Sequence, residues 1–308
     1  MTRVRPNEVV IELNAVLVAL IGDTPQVLTL EDGALLPSGP FESDHPTLQT
    51  GLRAWVERQT HHPLGYVEQL YTFADRNRAE ASTGRRIVSI SYLGLTRERA
   101  VDGEREPGWQ SWYRYFPWED WRDGTPKLLK RAILPRLEKW VGELRDPVLR
   151  RERHQRVDGN FDERSWNEEL VLQRYELLYE ARLVPEAGRP RSPVTDPIPG
   201  APMRYDHRRI LATGIARLRA KIKYRPVVFE LMPPGFTLGQ LQRAVEALAG
   251  RPLHKQNFRR QVEQQGLVEE TGATTSGTGG RPAKLYRFRG EILLERALAG
   301  TKLPITRS

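Results

Sequence analysis

The chain has 308 residues, a formal net charge of +9, 28% charged residues and no cysteine. That length suggests about two domains, and the missing thiols exclude a disulfide scaffold, cysteine-ligated zinc and thiol catalysis. The opening MTRVRPNEVVIELNAVLVALIG has a basic start and an apolar run, but Glu8, Glu12 and Asn14 interrupt it and make a poor signal sequence. No stretch approaches the ~20 apolar residues of a membrane helix, so a cytoplasmic protein is expected.

The front of the chain predicts strands at Val9–Ile21 and Gln26–Leu30, with a turn at Asp32-Gly33. A helix is expected over Pro46–Thr60, where Leu48, Leu52, Trp55 and Val56 recur at helical spacing. Strands follow at Tyr66–Phe73 and Arg86–Leu95, separated by the polar segment Ala74–Gly84. Residues 102–200 then hold six of the seven tryptophans amid dense charge, with helical patterns near 126–144 and 164–183. They read as an insertion into the front domain, an elaboration or dimer surface, closed by the Pro/Gly-rich Pro185–Pro202, a linker or long loop.

The last third is more regular. Asp206 is placed to cap a helix running to about Tyr224, and Val227–Leu231 predicts a short strand. Thr237-Leu-Gly-Gln240 is a capping box, with Gly250 positioned to end its helix. A helix at His254–Gln265 and a hairpin of Leu267–Thr271 with Ala283–Phe288, tipped by Gly272–Gly280, complete the chain. Helix, strand, helix, turn, helix and a Gly-tipped hairpin is the order of a winged helix-turn-helix.

Charge supports that reading. Residues 205–308 carry 19 Lys and Arg against 8 Asp and Glu, whereas residues 1–204 carry 29 against 31. A near-neutral front joined to a basic back fits a sensor fused to a nucleic-acid binder. On His254–Gln265, Phe258 and Val262 define a buried face, and Gln256 and Arg260 point the opposite way, flanked by Asn257, Arg259 and Glu263. Gln and Arg suit adenine and guanine edges, while Lys255 and Arg259 suit phosphates. The wing adds Thr275, Ser276, Arg281 and Lys284. A merely solvated helix is the competing reading of this face.

A strand-rich start, a Gly39 loop and an amphipathic helix carrying Arg53 and Glu57 resemble the outline of a Nudix domain. The Nudix box, G-x5-E-x7-R-E-U-x-E-E-x-G-U with U a bulky aliphatic, gathers glutamates around Mg²⁺ ions that activate water against a pyrophosphate. Gly39 and Arg53 keep that spacing and Glu57 falls on the first paired glutamate, but His45, Ala54 and Arg58 replace the other three. A lone carboxylate beside Arg58 does not gather the charge that a hard divalent cation requires. No metal site and no catalytic residue are expected. The six histidines offer no ligand spacing beyond the adjacent His61-His62.

Two stretches, YVEQLYTFAD (66–75) and GRRIVSISY (84–92), together with FELMPPGFTLGQLQ, HKQNFRR and GGRPAKLYRF, resemble the Nudix-related transcriptional regulators of NAD metabolism (NrtR/NadQ type). The likeness spans residues 8–97 and 203–290 and is nearest to the longer NadQ-type members. It implies an α+β protein: a Nudix-like mixed α/β sandwich over 1–224 with a helical insertion, then a winged helix over 225–308. It also implies a homodimeric repressor of NAD-biosynthesis genes that binds double-stranded operator DNA, under control of ADP-ribose, ATP or NAD in a degenerate pocket. Phosphates need cations and adenine a flat partner. Arg53, Arg85 and Arg86 are the phosphate candidates, with Gln69 and Tyr71 for base or ribose. Core packing of Tyr71, and a solvated strand start for Arg85 and Arg86, remain equal readings. Asp206 and His207 are further candidates to orient a ligand, with helix capping an equal reading for Asp206. The alternatives are an active Nudix pyrophosphatase on ADP-ribose-like substrates, its carboxylates completed by Glu68, Asp75 or the insertion, and a Trp-rich protein-binding module.

Overall fold

The computed structural model describes residues 9–61, 64–75, 86–97, 108–189, 192–275 and 282–290. Strand β1 (Val9–Ile21) is the centre of the front unit because its two faces are both apolar. Leu13, Ala15 and Leu17 join Leu52, Val56, Leu64 and Tyr92 in one core. Val16 and Val18 join Leu70, Leu93, Ile210, Leu211, Ile215 and Leu218 in the other. Side chains alternate along a strand, so β1 must be covered on both sides.

The covers are helix α1 (Leu48–Thr60) and helix α5 (His207–Ile222). Between them lies a sheet of order β4 (Tyr66–Phe73), β5 (Arg86–Leu95), β1, β2 (Thr24–Leu28), β6 (Trp109–Ser111), with β3 (Ser38–Pro40) also on β1. β1 and β5 run parallel from Val9↔Arg86 to Val18↔Leu95, and the other pairs are antiparallel. This is the expected mixed α/β sandwich. α5 lies so close to β1 that a Cβ on Gly214 would fall 2.8 Å from Val16 Cγ1.

The strands β1, β4 and β5 and helix α1 stand where the sequence places them, α1 starting two residues later behind a Thr47–Thr50 capping box. Asp206 departs from expectation. Its side chain makes no cap bond and instead pairs with Arg209 at 3.4 Å.

The segment between the sandwich and α5 is helical: a π-turn at Leu129–Ile133 running into α2 (Leu134–Gly142), then α3 (Pro147–Phe161) and α4 (Val171–Glu180). Sequence periodicity misses α3, which buries only Val157 and Phe161 and exposes Arg150, Arg151 and Arg156. Trp112, Tyr115, Phe116 and Trp118 are fully buried and belong to the same core as α5 and the C-terminal helices. Of the two readings for Pro185–Pro202, linker or long loop, the described residues form a packed loop. Ala187 and Ile198 are buried, and the amides of Ile198 and Ala201 donate to the carbonyls of Leu183 and Arg114.

In the C-terminal unit, Val227–Glu230 is a 3-10 turn and not the expected strand. Pro226 and the Pro233-Pro234 pair leave too few residues to alternate, and Val227, Val228 and Phe229 all point inward. Helices α6 (Leu238–Ala249) and α7 (Lys255–Gln265) follow, then strands β7 (Val268–Thr274) and β8 (Lys284–Phe288). Phe236 supplies a third strand position through two backbone bonds with Tyr286. Among the described residues, no helix is long and apolar enough to cross a membrane.

Candidate DNA-binding face and effector pocket

Helix α7 is held from behind and free in front. Phe258 and Val262 are buried, whereas Lys255, Gln256, Asn257, Arg259 and Arg260 are exposed. Arg260 leans on Asn257 at 3.5 Å, and Lys255 and Arg259 have no ion pair among the described residues. The turn that aims α7 is fixed by Glu246, whose carboxylate accepts from the Leu253 amide at 2.8 Å and from Gln242 at 2.9 Å. Gly250 ends α6 at φ +73°, as its position in the sequence predicts.

The wing residues are less free. Lys284 pairs with Glu270 at 2.8 Å and Arg287 with Glu269 at 2.6 Å, both on the exposed hairpin. The Thr275 amide donates to the Ala283 carbonyl, and Thr275 Oγ1 accepts from the Ala283 amide. Ser276 and Arg281 lie outside the described residues.

The residues joining this unit to the rest are buried and charged. Glu119 accepts from Arg174 of α4 at 2.6 and 2.8 Å and from Arg219 of α5 at 2.6 Å. Arg219 also donates to the Leu248 carbonyl at 2.9 Å, Tyr113 Oη to Ala247 at 2.6 Å, and the Trp121 amide to Gly250 at 2.6 Å. Burial alone would push the Glu119 carboxyl up, but the two guanidiniums outweigh it and hold it below the usual carboxylate range. Sequence reasoning missed this cluster because Trp118-Glu119-Asp120 reads as ordinary surface.

On α1 the Nudix-like frame is structural. The Trp55 ring packs onto Gly39, and Trp55 Nε1 donates to the Pro40 carbonyl at 2.8 Å. Arg53 donates to the carbonyls of Leu64 and Gly65, which engages its guanidinium with the loop entering β4. Glu57 is exposed, and Arg58 lies over the Trp55 ring at 4.7 Å. The box positions therefore present one carboxylate, a poor fit to Mg²⁺. Glu42, Asp44 and His45 cluster in the preceding loop, where the His45 ring instead accepts the Glu42 amide.

The remaining pocket candidates fall on two faces of the sheet. Gln69 pairs with Tyr92 and Arg86 with Val9, which puts both on the α1 side. Arg85 lies outside the described residues. A bulge between Gln69 and Thr72 turns Tyr71 to the α5 side, where it is 59% exposed and contacts Phe73 at 4.9 Å. Here the sheet face is polar: Glu12 and Asn14 pair with Ser89 and Ser91. Burial pushes the Glu12 carboxyl above its usual range, opposed by hydrogen bonds with Asn14 and Ser89. Asn14 is fully buried with Oδ1 unpartnered among the described residues. The sequence signal was present, since Glu12 and Asn14 are the breaks in an otherwise apolar strand.

Arg209 closes this end of the sheet. It lies over the Phe73 ring at 4.2 Å and pairs with Asp75 at 2.5 Å and with Glu176 of α4. Beside it His207 is buried, and its Nδ1 accepts the Leu36 amide at 2.9 Å. Burial lowers the His207 pKa to about 4 from an ordinary 6.5. Between those values the unfolded chain takes up a proton that the folded imidazole does not, so stability falls as pH drops from 6.5 towards 4. The expected loss is up to about 3 kcal/mol. His207→Gln should flatten that limb in urea titrations at several pH values, and an unchanged limb would assign the loss to other groups.

Against known proteins, a family profile described as the NrtR DNA-binding winged helix domain matches residues 228–288. The C-terminal unit is thus similar to the NrtR winged helix over those residues. A curated relative, the ADPR-responsive transcriptional repressor NtrR of Acinetobacter baylyi, is 43% identical over 86 residues, which is 28% of this chain and 34% of that protein. The matched segment thus spans about a third of that relative's length. The NrtR fold extends beyond the winged helix. NrtR of Shewanella oneidensis, solved with a 27mer DNA, superposes over 91% of this chain and 93% of its own, with a TM-score of 0.51 at 20% identity. A MutT/Nudix family protein of Enterococcus faecalis superposes over 92% and 87%, with a TM-score of 0.51 at 15% identity. The fold is therefore Nudix-like in front and an NrtR-type winged helix behind.

Proposed function

We propose that this protein is a homodimeric, DNA-binding repressor of NAD-biosynthesis genes, controlled by an adenine nucleotide in its front domain. The observation that carries the DNA-binding half is α7, backed by Phe258 and Val262 and presenting Gln256, Asn257, Arg259 and Arg260 to solvent. The NrtR-type winged helix and the repressor relative support it. ADP-ribose is the first candidate effector, because that relative is ADPR-responsive; ATP and NAD are the others. Two copies would read two half-sites on one face of DNA.

The proposed pocket is the polar α5 side of the sheet, with Tyr71 and Phe73 beside the nucleotide base and Glu12, Asn14 and Ser89 towards ribose hydroxyls. Gln69 and Arg86 lie on the opposite, α1 side of the sheet and stand outside this pocket, and Arg53 shapes the loop entering β4. Helix α5 is the connecting lever. It carries Arg209 against Phe73 at one end and Arg219 against Leu248 at the other, so a ligand that moves Tyr71 and Phe73 shifts the winged helix. The single box carboxylate argues for binding without hydrolysis. Mg²⁺-dependent turnover of ADP-ribose, abolished by Glu57→Gln, would instead support a pyrophosphatase.

Arg260→Ala is expected to cost about 1–3 kcal/mol of specific binding and to relax base preference at one position. Binding measured across single-base operator variants checks this, and equal loss on all sequences would remove Arg260 from base contact.

A further inference from the structure

The α2–α3 hairpin is the most basic surface of the front two-thirds of the chain, and the sensor–reader scheme gives it no work. Residues 127–156 hold ten Lys and Arg against four Asp and Glu, within a front region that is otherwise net acidic. Some of this charge is neutralised: Lys130 pairs with Glu163, Arg136 with Asp196 and Arg156 with Glu180. Lys127, Arg131, Lys139, Arg145 and Arg151 are exposed and have no ion pair among the described residues. Asp146, which lies among them, accepts the amides of Val148 and Leu149 at the start of α3.

Glu138, Glu143 and Glu152 are exposed among them as well, and the net excess of positive charge that remains costs self-repulsion, which a polyanion relieves. The chain on either side of the hairpin, at Trp121 and Glu168, contacts the C-terminal unit. The Trp121 amide, six residues before Lys127, donates to Gly250 at 2.6 Å, and Arg251 in the turn before α7 meets Glu168 at 3.5 Å. Gly250 and Arg251 form the elbow that aims α7, so the insertion stands beside the part of the winged helix that approaches the duplex.

We propose that the α2–α3 hairpin is a second DNA-contacting surface, gripping backbone phosphates that flank the segment read by α7. This rests on the DNA-binding reading above and extends it. The contact is with phosphates and carries no base sequence, so it lengthens the footprint and steepens the salt dependence without changing the recognised motif.

The test compares full-length protein with a variant carrying Lys127→Gln, Arg131→Gln, Lys139→Gln, Arg145→Gln and Arg151→Gln. All five positions are exposed, so the thermal midpoint should hold; a second variant with Arg131→Lys, Arg145→Lys and Arg151→Lys keeps the charge. Affinity is measured across salt on a duplex just spanning the selected site and on one extended by about 15 base pairs each side, roughly the flank that an added contact of a few phosphates needs. Wild type and the lysine variant should bind the long duplex more tightly. The glutamine variant should lose that gain, about tenfold or more at low salt, with a salt slope shallower by about 0.9 per lost phosphate contact. Its affinity for the short duplex should stay within about twofold of wild type, as expected when the base contacts remain.

Equal affinities and slopes for wild type and the glutamine variant on the long duplex would overturn the proposal and turn the surface towards an acidic protein partner. An equal loss on both lengths would also overturn it, as a general field effect. A wild type that selects no site at all would instead sink the DNA-binding reading, a separate and recognisable outcome.

Discussion

Replacing Glu119 by Gln is expected to destabilise the protein by about 3–5 kcal/mol, because it leaves two guanidiniums buried without their carboxylate. Arg174 and Arg219 are fully buried, as is Glu119. Desolvating these groups is tolerable only while the charges and hydrogen bonds close on each other. A drop of roughly 10 °C in the thermal midpoint is the corresponding readout for a chain of this size. Arg156→Ala, which breaks the half-exposed Arg156–Glu180 pair, is the control and should cost about 1 kcal/mol or less.

The same residue gives a pH signature. Glu119 has a folded pKa below its unfolded value, so its contribution is present above the usual carboxylate range and is lost as pH falls through the folded value. Wild type should therefore lose stability on acidification more steeply than Glu119→Gln. Parallel acid limbs in urea titrations would mean that the cluster does not hold the charge assigned to it.

Gly250→Val is expected to cost about 4 kcal/mol and to abolish DNA binding before the rest of the chain unfolds. A side chain at φ +73° is strained. A Cβ there would also collide with the Glu119 carbonyl, with Arg219 Nη2 at 2.6 Å and with Tyr113 Oη at 2.9 Å. The backbone cannot retreat while the Trp121 amide holds the Gly250 carbonyl at 2.6 Å. Relief requires lifting the elbow of α6 and α7 away from Glu119 and Trp121, which misaims α7. Gly272 has a similar φ of +78° but open space, so Gly272→Ala should cost only about 1 kcal/mol. Matching losses at the two sites in chemical denaturation would show that strain, not the collision, sets the cost.

Much of the fold was legible in the sequence where local chemistry decides it. The strands Tyr66–Phe73 and Arg86–Leu95 stand as read. The capping box at Thr237 and Gln240 and the glycine stop at Gly250 are as expected. The face of α7 follows from helical geometry and two buried side chains, which is why its exposed Gln256 and Arg260 were visible at once.

What was not legible depends on partners far away in the chain. Glu119 looks solvated until Arg174 and Arg219, 55 and 100 residues further on, fold over it. Helix α3 has no apolar stripe, and it is held by Val157, Phe161 and a cation–π contact of Arg153 on Trp140 at 4.0 Å. Val227–Leu231 has the composition of a strand, but the flanking prolines and three inward side chains make it a turn. The placement of the pocket candidates was hidden for the same reason. A bulge in β4, invisible to alternation, separates Tyr71 from Gln69, and Arg53 is drawn off by two carbonyls. Glu12 and Asn14 were in plain view, but only the pairing of β1 with β5 brings them beside Ser89 and Ser91.

The central claim is a sequence-specific DNA reader whose grip depends on an adenine nucleotide. Selection of sites from random duplex DNA by the full-length protein, repeated across salt with ADP-ribose, ATP or NAD present or absent, tests it most directly. The account predicts enrichment of a two-fold symmetric site about 20 base pairs long, with half-sites one or two helical turns apart, and an occupancy that one of the three nucleotides changes. Recovery of sequence-blind DNA that only salt displaces, indifferent to every nucleotide, would contradict it.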